Sequence, residues 1–453
     1  MNREIFREYD IRGLVNKDLT YGVVETIGRA FGSYIGKGKV AVGGDNRLST
    51  EEFRKALISG ILSTGLDVTD IGIVPTPVLY FALHHYKMAG GIQITGSHNP
   101  PQFNGFKICK GVDAIHGQEI QALYKRIKSE KYNKGKGKKT SLDLIPTYVK
   151  FIKKKIKLGR RLKVGIDAGN GCAGLVLPQL LRDLGCEVNE LYCNPDGNFP
   201  HHFPDPAVSA NFKELIKKVR EEKLDLGIIY DGDVDRMGVV DERGRIIWAD
   251  IFMVLFYREI LARYPGAPCP IEVKCSQALW EEVERLGGKP QFCRTGHSLI
   301  KAKMKEIKAP FCGEMSGHMF FADDYFGFDD AIYASLRLLR ILSRTDKSLS
   351  ELLKDIPRYY STPEIRIDCP DAKKEEVVSK ISKYFNLKYP CINIDGVRVL
   401  FGDGWGLLRK SNTSPKLILR FEAGTEKKLE EIKSVFLERL KGFPQVDFKA
   451  LSG

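Results

Sequence analysis

No CxxC pair occurs among the ten cysteines of this 453-residue sequence. That absence excludes a disulfide framework and a zinc ribbon, which both need closely spaced thiols. Reduced cysteines buried in cores are expected instead. No apolar run approaches the ~20 residues of a membrane-spanning helix. The start MNREIFREYD lacks the apolar core of a secretory signal. The sequence therefore predicts no membrane association and a cytoplasmic location, where the Asn412-Thr413-Ser414 sequon carries no meaning. Base-stacking aromatics and nucleic-acid modules are missing too, so no nucleic acid is expected as a partner. An acidic excess is also lacking, for the formal net charge is +14. Much of that surplus lies in solvated runs, KGKGKK from Lys134 and Lys153-Lys154-Lys155. A basic cleft holding an anionic small molecule accounts for the rest.

The hydrophobic content of 43% is ordinary for a globular chain with a sizeable core. The length suits about three domains of roughly 150 residues. Short apolar strands running into polar loops recur at Val40–Asp45, Lys163–Asp167 and Ile271–Cys275. Helical patterns follow them, for example Leu175–Leu184 closed by Gly185. Strands alternating with helices predict α/β units, with sheets covered on both faces. From about Pro363 the alternation changes, and a smaller α+β domain is expected.

Four loops carry chemistry. In GIQITGSHNPPQFNGFKI (91–108), a strand ends at Gly96, and Asn99-Pro100-Pro101 blocks a helix. Ser97 is thereby presented at the tip of a stiff loop, as a nucleophile or phosphate carrier would be. In LDLGIIYDGDVDR (224–236), a strand ends at Tyr230 before Asp231, Asp233 and Asp235. Alternate side chains of extended backbone point the same way, so the three carboxylates are expected to converge. Three hard oxygen ligands suit Mg²⁺. An EF-hand reading, with Glu242 at the twelfth position, fails because Arg236 stands where glycine is required. In CGEMSGH (312–318), Glu314 and Ser316 can hydrogen-bond vicinal sugar hydroxyls. Arg409-Lys-Ser-Asn-Thr413 gathers an arginine fork, two hydroxyls and an amide, a cradle for phosphate. A competing signal is Gly169-Asn-Gly171-Cys-Ala-Gly174, a GxGxxG after the strand KVGID. It leaves an NAD-dependent dehydrogenase as an alternative of another class.

Taken in order and spacing, TGSHNP, DGDVDR, GEMSGH and RKSNTSP resemble the α-D-phosphohexomutase family, in its phosphomannomutase/phosphoglucomutase branch. The resemblance runs from Tyr9-Asp-Ile-Arg-Gly13 to Leu419-Arg-Phe-Glu422. Two positions depart from the usual pattern. Gly44-Asp45-Asn46-Arg47 stands where an arginine often precedes the aspartate, and Ser414 where an acidic residue is common.

The resemblance implies three related α/β domains and a C-terminal α+β domain, similar to the TATA-box-binding protein, around a central cleft. The expected divisions are 1–149, 150–250, 251–361 and 362–453. It implies a phosphorylated Ser97 that passes its phosphoryl group to a hexose monophosphate. The resulting 1,6-bisphosphate reorients and returns its other phosphate, so hexose 1-phosphate and 6-phosphate interconvert. Mg²⁺ would be held by Asp231, Asp233, Asp235 and Ser97, with hexose 1,6-bisphosphate as activator. Arg12, Arg236 and Lys107 match positions near the nucleophile. Lys107 is the candidate acid/base, through a pKa lowered by other cations. Lys274, His297 and His318 join Glu314 and Ser316 at the sugar, and Arg409, Ser411, Asn412 and Thr413 hold the distal phosphate. His98 supports the loop. Hexose phosphates are the expected partners of a monomer or small homo-oligomer. Met315 stands where a phosphoglucosamine mutase, the close alternative, tends to have glutamine. A serine- and Mg²⁺-using phosphatase is a further alternative.

Overall fold

The computed structural model describes residues 1–412 and 414–448. Each of the four loops turns out to close a pair of antiparallel strands, which explains why each looks locally like a hairpin connection.

The first sheet has seven strands in the order β1-β5-β4-β2-β3-β7, with β6 on β5. They are β1 (Ile11–Leu14), β2 (Lys39–Gly44), β3 (Asp67–Ile73), β4 (Gly90–Ile94), β5 (Phe103–Lys110), β6 (Asp113–Ala114) and β7 (Lys139–Ser141). Strands β2, β3 and β4 are buried along almost their whole length, as parallel strands covered on both faces must be. The antiparallel return from β4 to β5 carries the Ser97 loop.

The second sheet has the order β12-β11-β10-β8-β9, with β8 (Lys163–Asp167), β9 (Glu187–Leu191), β10 (Leu226–Tyr230), β11 (Met237–Asp241) and β12 (Ile246–Ile247). The aspartate loop joins the antiparallel pair β10 and β11. The third unit holds the parallel pair β13 (Pro268–Glu272) and β14 (Lys289–Cys293) and the hairpin β15 (Phe311–Gly313) and β16 (Met319–Phe321), whose turn is the GEMSGH loop.

The last sheet contains β17 (Tyr360–Ser361), β18 (Ile365–Asp368), β19 (Cys391–Ile392), β20 (Val397–Leu400), β21 (Gly404–Lys410) and β22 (Lys416–Ala423). All its pairings are antiparallel, and the RKSNTSP loop joins β21 to β22. Helices Asp371–Asn386 and Glu426–Lys441 pack on this sheet through Phe385 and Phe436, stacked 4.5 Å apart. The expected α+β tail is therefore present.

One apolar core runs through the first three units, from Ala41 to Ile356, while the fourth has its own. The expected divisions at 149/150 and 250/251 fall inside the helices Ile145–Lys155 and Ala249–Leu261. The basic run before Thr140 is not all loop, since Lys139–Ser141 adds an edge strand beside β3. No helix among the described residues is long and apolar enough to cross a membrane.

Candidate active site

Ser97 is not at an exposed tip. It is buried, 1% accessible, with φ +50°, and its loop is tied down from several sides. Arg47 does most of this. Its guanidinium donates to the carbonyls of Ser97 (2.8 Å), Asn99 (2.5 Å), Pro100 (2.8 Å) and Phe103 (2.9 Å), while Nε meets Asp45 at 3.1 Å. A Cβ on Gly96 would lie 2.4 Å from Cζ of Arg47, so only glycine fits there. Arg47, two residues after Asp45, is thus the staple of the loop. Arg12 adds bonds to Gly96 O (2.8 Å) and Asn99 Oδ1 (3.2 Å), held in turn by Asp10 at 2.7 Å.

The aspartate loop faces this serine. Asp231 Oδ2 accepts from Ser97 Oγ at 2.8 Å, and its Oδ1 takes the backbone N–H groups of Asp235 and Arg236 at 3.1 and 3.2 Å. Asp231, Asp233 and Asp235 converge, with one oxygen of each within 4.8 Å of the others. They do so by a different route from the one expected. The segment is a tight turn with Val234 at φ +66°, not extended backbone. A β-branched residue in that region is strained. Buried contacts hold it there: Ala331 N–H donates to Val234 O at 3.2 Å. A Cβ on Gly232 would lie 2.6 Å from Ser97 O, which is how closely the two loops approach.

The GxGxxG turn packs against the aspartate loop and supports it. Cys172 N–H donates to Gly232 O at 2.9 Å. A Cβ on Gly171 or Gly174 would collide with the carbonyl of Gly232 or Cys193. Glu242 bonds Ser350, away from the aspartates, which closes the EF-hand reading.

Asp233 Oδ1 and Asp235 Oδ1 are buried without a hydrogen-bond partner. Two orphaned carboxylate oxygens beside a third aspartate are costly unless a cation joins them. The donor set is all oxygen, so it fits a hard divalent ion. Lys107 already offsets part of this charge, donating to Asp233 Oδ2 at 2.6 Å and also to Asp235 Oδ2. Burial alone would lower the Lys107 pKa, but Asp233, Asp235, Asp231 and Asp329 raise it well above the usual lysine range. The expected lowered pKa is therefore corrected: the nearest neighbours are anions, not cations. Burial, with Arg236 and Arg12 beside it, pushes the His98 pKa well below its ordinary value. Its Nδ1 lies 3.2 Å from Ser97 Oγ.

Arg236 donates from Nε to His318 Nε2 at 2.8 Å, and the other nitrogen of His318 lies 3.0 Å from Asp235 O. Glu314 accepts from Gly296 N–H and Ser316 Oγ, both at 2.9 Å. His297 is buried against the edge of Tyr9, with neither ring nitrogen hydrogen-bonded and Nδ1 3.7 Å from Asp329 Oδ2. Lys274 bonds Glu364 at 2.9 Å.

A cavity of about 490 Å³ extends from Arg236, Glu314 and Ser316 to Arg409, Ser411 and Asn412. A second, of about 240 Å³, reaches Arg12, Lys107, His297 and His318. Both are lined by Tyr9, His98, Arg236, Glu314, Arg366 and Ser414, which makes them two parts of one cleft. At its far end Arg409 Nε is held by Asp395 at 2.9 Å, while Arg409 Nη2 and Asn412 Nδ2 are buried and unpartnered. Lys374 fixes this loop by donating to the carbonyls of Ser411 and Ser414, both at 2.7 Å. Ser414 Oγ meets Ser411 Oγ at 2.8 Å, a polar contact where an acid is common. Thr413 lies outside the described residues.

The structure thus brings Ser97, the three aspartates, Arg12, Lys107, Arg236, Lys274, His297, Glu314, Ser316, His318, Arg409, Ser411 and Asn412 to one cleft. Reading the sequence missed Tyr9, Arg47, Trp248, Glu364, Arg366 and Lys374, all at or supporting the same cleft. The charge pattern of PEIRID, with Glu364 and Arg366 two apart where β18 begins, was the available signal for two of them.

Comparison with known proteins agrees with this geometry. Family models for phosphoglucomutase/phosphomannomutase match alpha/beta/alpha domain I at residues 3–134, domain II at 146–244, domain III at 248–360 and the C-terminal domain at 364–439. The chain is 46% identical over 441 residues to a phosphomannomutase/phosphoglucomutase of Pseudomonas aeruginosa, covering 96% of this chain and 95% of that one. It is 41% identical over 456 residues to a phosphoglucomutase of Neisseria gonorrhoeae, covering 98% of each. A crystal structure of a phosphoglucomutase/phosphomannomutase family protein from Burkholderia thailandensis superposes with a TM-score of 0.92 at 43% identity, over 98% of both chains. With all four domain models matched in order along its length, this chain belongs to the phosphoglucomutase/phosphomannomutase family.

Proposed function

We propose that the protein interconverts hexose 1-phosphates and hexose 6-phosphates of glucose and mannose, through a phosphorylated Ser97 and a hexose 1,6-bisphosphate. The observation that carries this reading is the opposed polarity of the two ends of the cleft. Ser97 Oγ bonds Asp231 beside two unpartnered carboxylate oxygens, whereas Arg409 and Asn412 leave buried donors free at the other end. A bisphosphate has an anionic group for each end.

Asp231, Asp233 and Asp235, with a Ser97 phosphate oxygen, would hold Mg²⁺. The ion supplies charge neutralisation of the transferring phosphoryl group. Arg12 and Arg236 orient that group from either side. As it moves, the P–O bond to Ser97 breaks and one to a sugar hydroxyl forms; Ser97 Oγ takes a proton from Lys107, and the hydroxyl's proton restores the Lys107 ammonium. Lys107, kept as an ammonium by its carboxylates, is the acid for Ser97 Oγ. Lys274 and His297 line the sugar, with His318 holding Arg236 in place. Glu314 and Ser316 grip O3 and O4, which a reorienting bisphosphate presents in both orientations. Arg409, Ser411 and Asn412, with Thr413 as proposed partner, bind the phosphate that does not react. Glucose 1,6-bisphosphate should activate dephosphorylated protein by restoring phosphate to Ser97.

Nine of ten cysteines are buried and all are free, in keeping with a reducing cytoplasm. The test is a side-by-side assay on glucose 1-phosphate, with intact mass measured before turnover. Glucose 6-phosphate formation without inorganic phosphate, together with one phosphate on Ser97, is expected. Release of inorganic phosphate as the main product would make the protein a phosphatase and overturn the proposal.

A further inference from the structure

The segment Val74-Pro75-Thr76-Pro77 of the first domain meets the aspartate loop, though it bears no charge and no catalytic signature. Thr76 opens the helix Thr76–His85 and is fully buried. Its hydroxyl donates to Asp233 Oδ2 at 2.5 Å, and its backbone N–H donates to Asp233 O at 2.8 Å. The two bonds grip one residue by side chain and main chain across 157 positions of sequence.

Several features make this grip directional. First-turn N–H groups of a helix have no partner within it, so the Thr76 N–H is free to reach outward. Prolines on both sides fix the backbone, and β-branching limits the side chain to few rotamers. Asp233 Oδ2 accepts from Thr76 Oγ1 and from Lys107 Nζ, which leaves Oδ1 as the buried oxygen without a partner.

We propose that Thr76 is a positioning residue for the cation site: it locks the Asp233 carboxylate so that Oδ1 alone faces the ion. Through it, correct docking of the first domain on the second becomes a condition for tight metal binding. This rests on the metal reading given above. Partners that orient a metal ligand typically contribute 10–100-fold in affinity.

The test is titration calorimetry of the metal-free, full-length protein with Mg²⁺ alone, for the wild type, Thr76→Val and Thr76→Ser. Valine keeps the shape and loses the hydroxyl. Its Kd should rise about 10–100-fold, with an unchanged fold by circular dichroism and thermal melting. Serine keeps the donor and should bind Mg²⁺ within about threefold of wild type, well inside that range. An unchanged Kd in folded Thr76→Val overturns the proposal, as does an equal loss in Thr76→Ser, which would make packing the cause. No Mg²⁺ binding by the wild type would overturn the metal reading, and this inference with it.

Discussion

At the serine end of the cleft, the aspartate loop leaves two acceptors over, Asp233 Oδ1 and Asp235 Oδ1, both buried. At the domain-four end two donors are left over, Arg409 Nη2 and Asn412 Nδ2. Ser97 is fixed through its N–H, its carbonyl and its hydroxyl, and the distal loop through Lys374 and Asp395. The contrast teaches that both ends are rigid but each has an unmet demand of opposite sign. One end asks for a cation, and the other for an anion. A loop that does chemistry and a loop that only binds should therefore fail differently when damaged.

The largest effect should come from the serine. Ser97→Ala removes the only proposed phosphoryl carrier and should lower kcat by several powers of ten. The fold should survive, because Arg47 bonds the backbone of the loop and not the hydroxyl. Steady-state kinetics and a melting curve check both halves; near-normal turnover in the alanine variant would sink the serine's role.

Removing the cation should be nearly as severe, but reversible. Excess chelator should abolish turnover and Mg²⁺ restore it. Asp233→Asn should depress kcat far more than it changes KM, since the ion acts on charge that develops in the transition state. Activity that persists in chelator would break the comparison at its serine end.

Damage to the distal loop should show first in binding. Arg409→Ala removes a charge-assisted contact of roughly 2–4 kcal/mol and should raise KM strongly. A smaller fall in kcat is expected too, because binding energy at a remote phosphate helps orient the reacting end. A KM equal to wild type would take this loop out of the site.

The smallest effect should be at the sugar. Glucose and mannose differ only at C2, and the Glu314–Ser316 pair is proposed to grip O3 and O4. Their 1-phosphates should be used with kcat/KM within about tenfold, a gap of ~1.4 kcal/mol. Galactose 1-phosphate, inverted at O4, should be markedly poorer because a buried group loses its partner. A hundredfold preference between glucose and mannose would mean that a residue outside the GEMSGH hairpin reads C2.

Much of this site was legible from the chain because its chemistry sits in hairpin loops. Such loops concentrate glycine, proline and polar side chains between apolar strands, and each of the four announces itself within about ten residues. The strands were legible for the same reason, although β13 ends at Glu272 and the helix near Leu175 begins with a 3₁₀ turn at Cys172–Leu175. Arg47 and Thr76 were not legible as site residues. Nothing local marks an arginine that binds four carbonyls 50 or more positions away, or a threonine that grips an aspartate in another domain.

The sequence by itself determined the family, the four chemical loops and the residue types that each presents. These follow from backbone preference and side-chain chemistry, which are properties of short segments. Only the tertiary structure decided which polar atoms are satisfied and which are left over. It alone placed Lys107 among carboxylates 126 and 128 residues away, so that its pKa rises where neighbouring cations would have lowered it. Charge interactions and hydrogen-bond pairing depend on distances of a few ångströms between distant segments, and those distances exist only once the domains have packed.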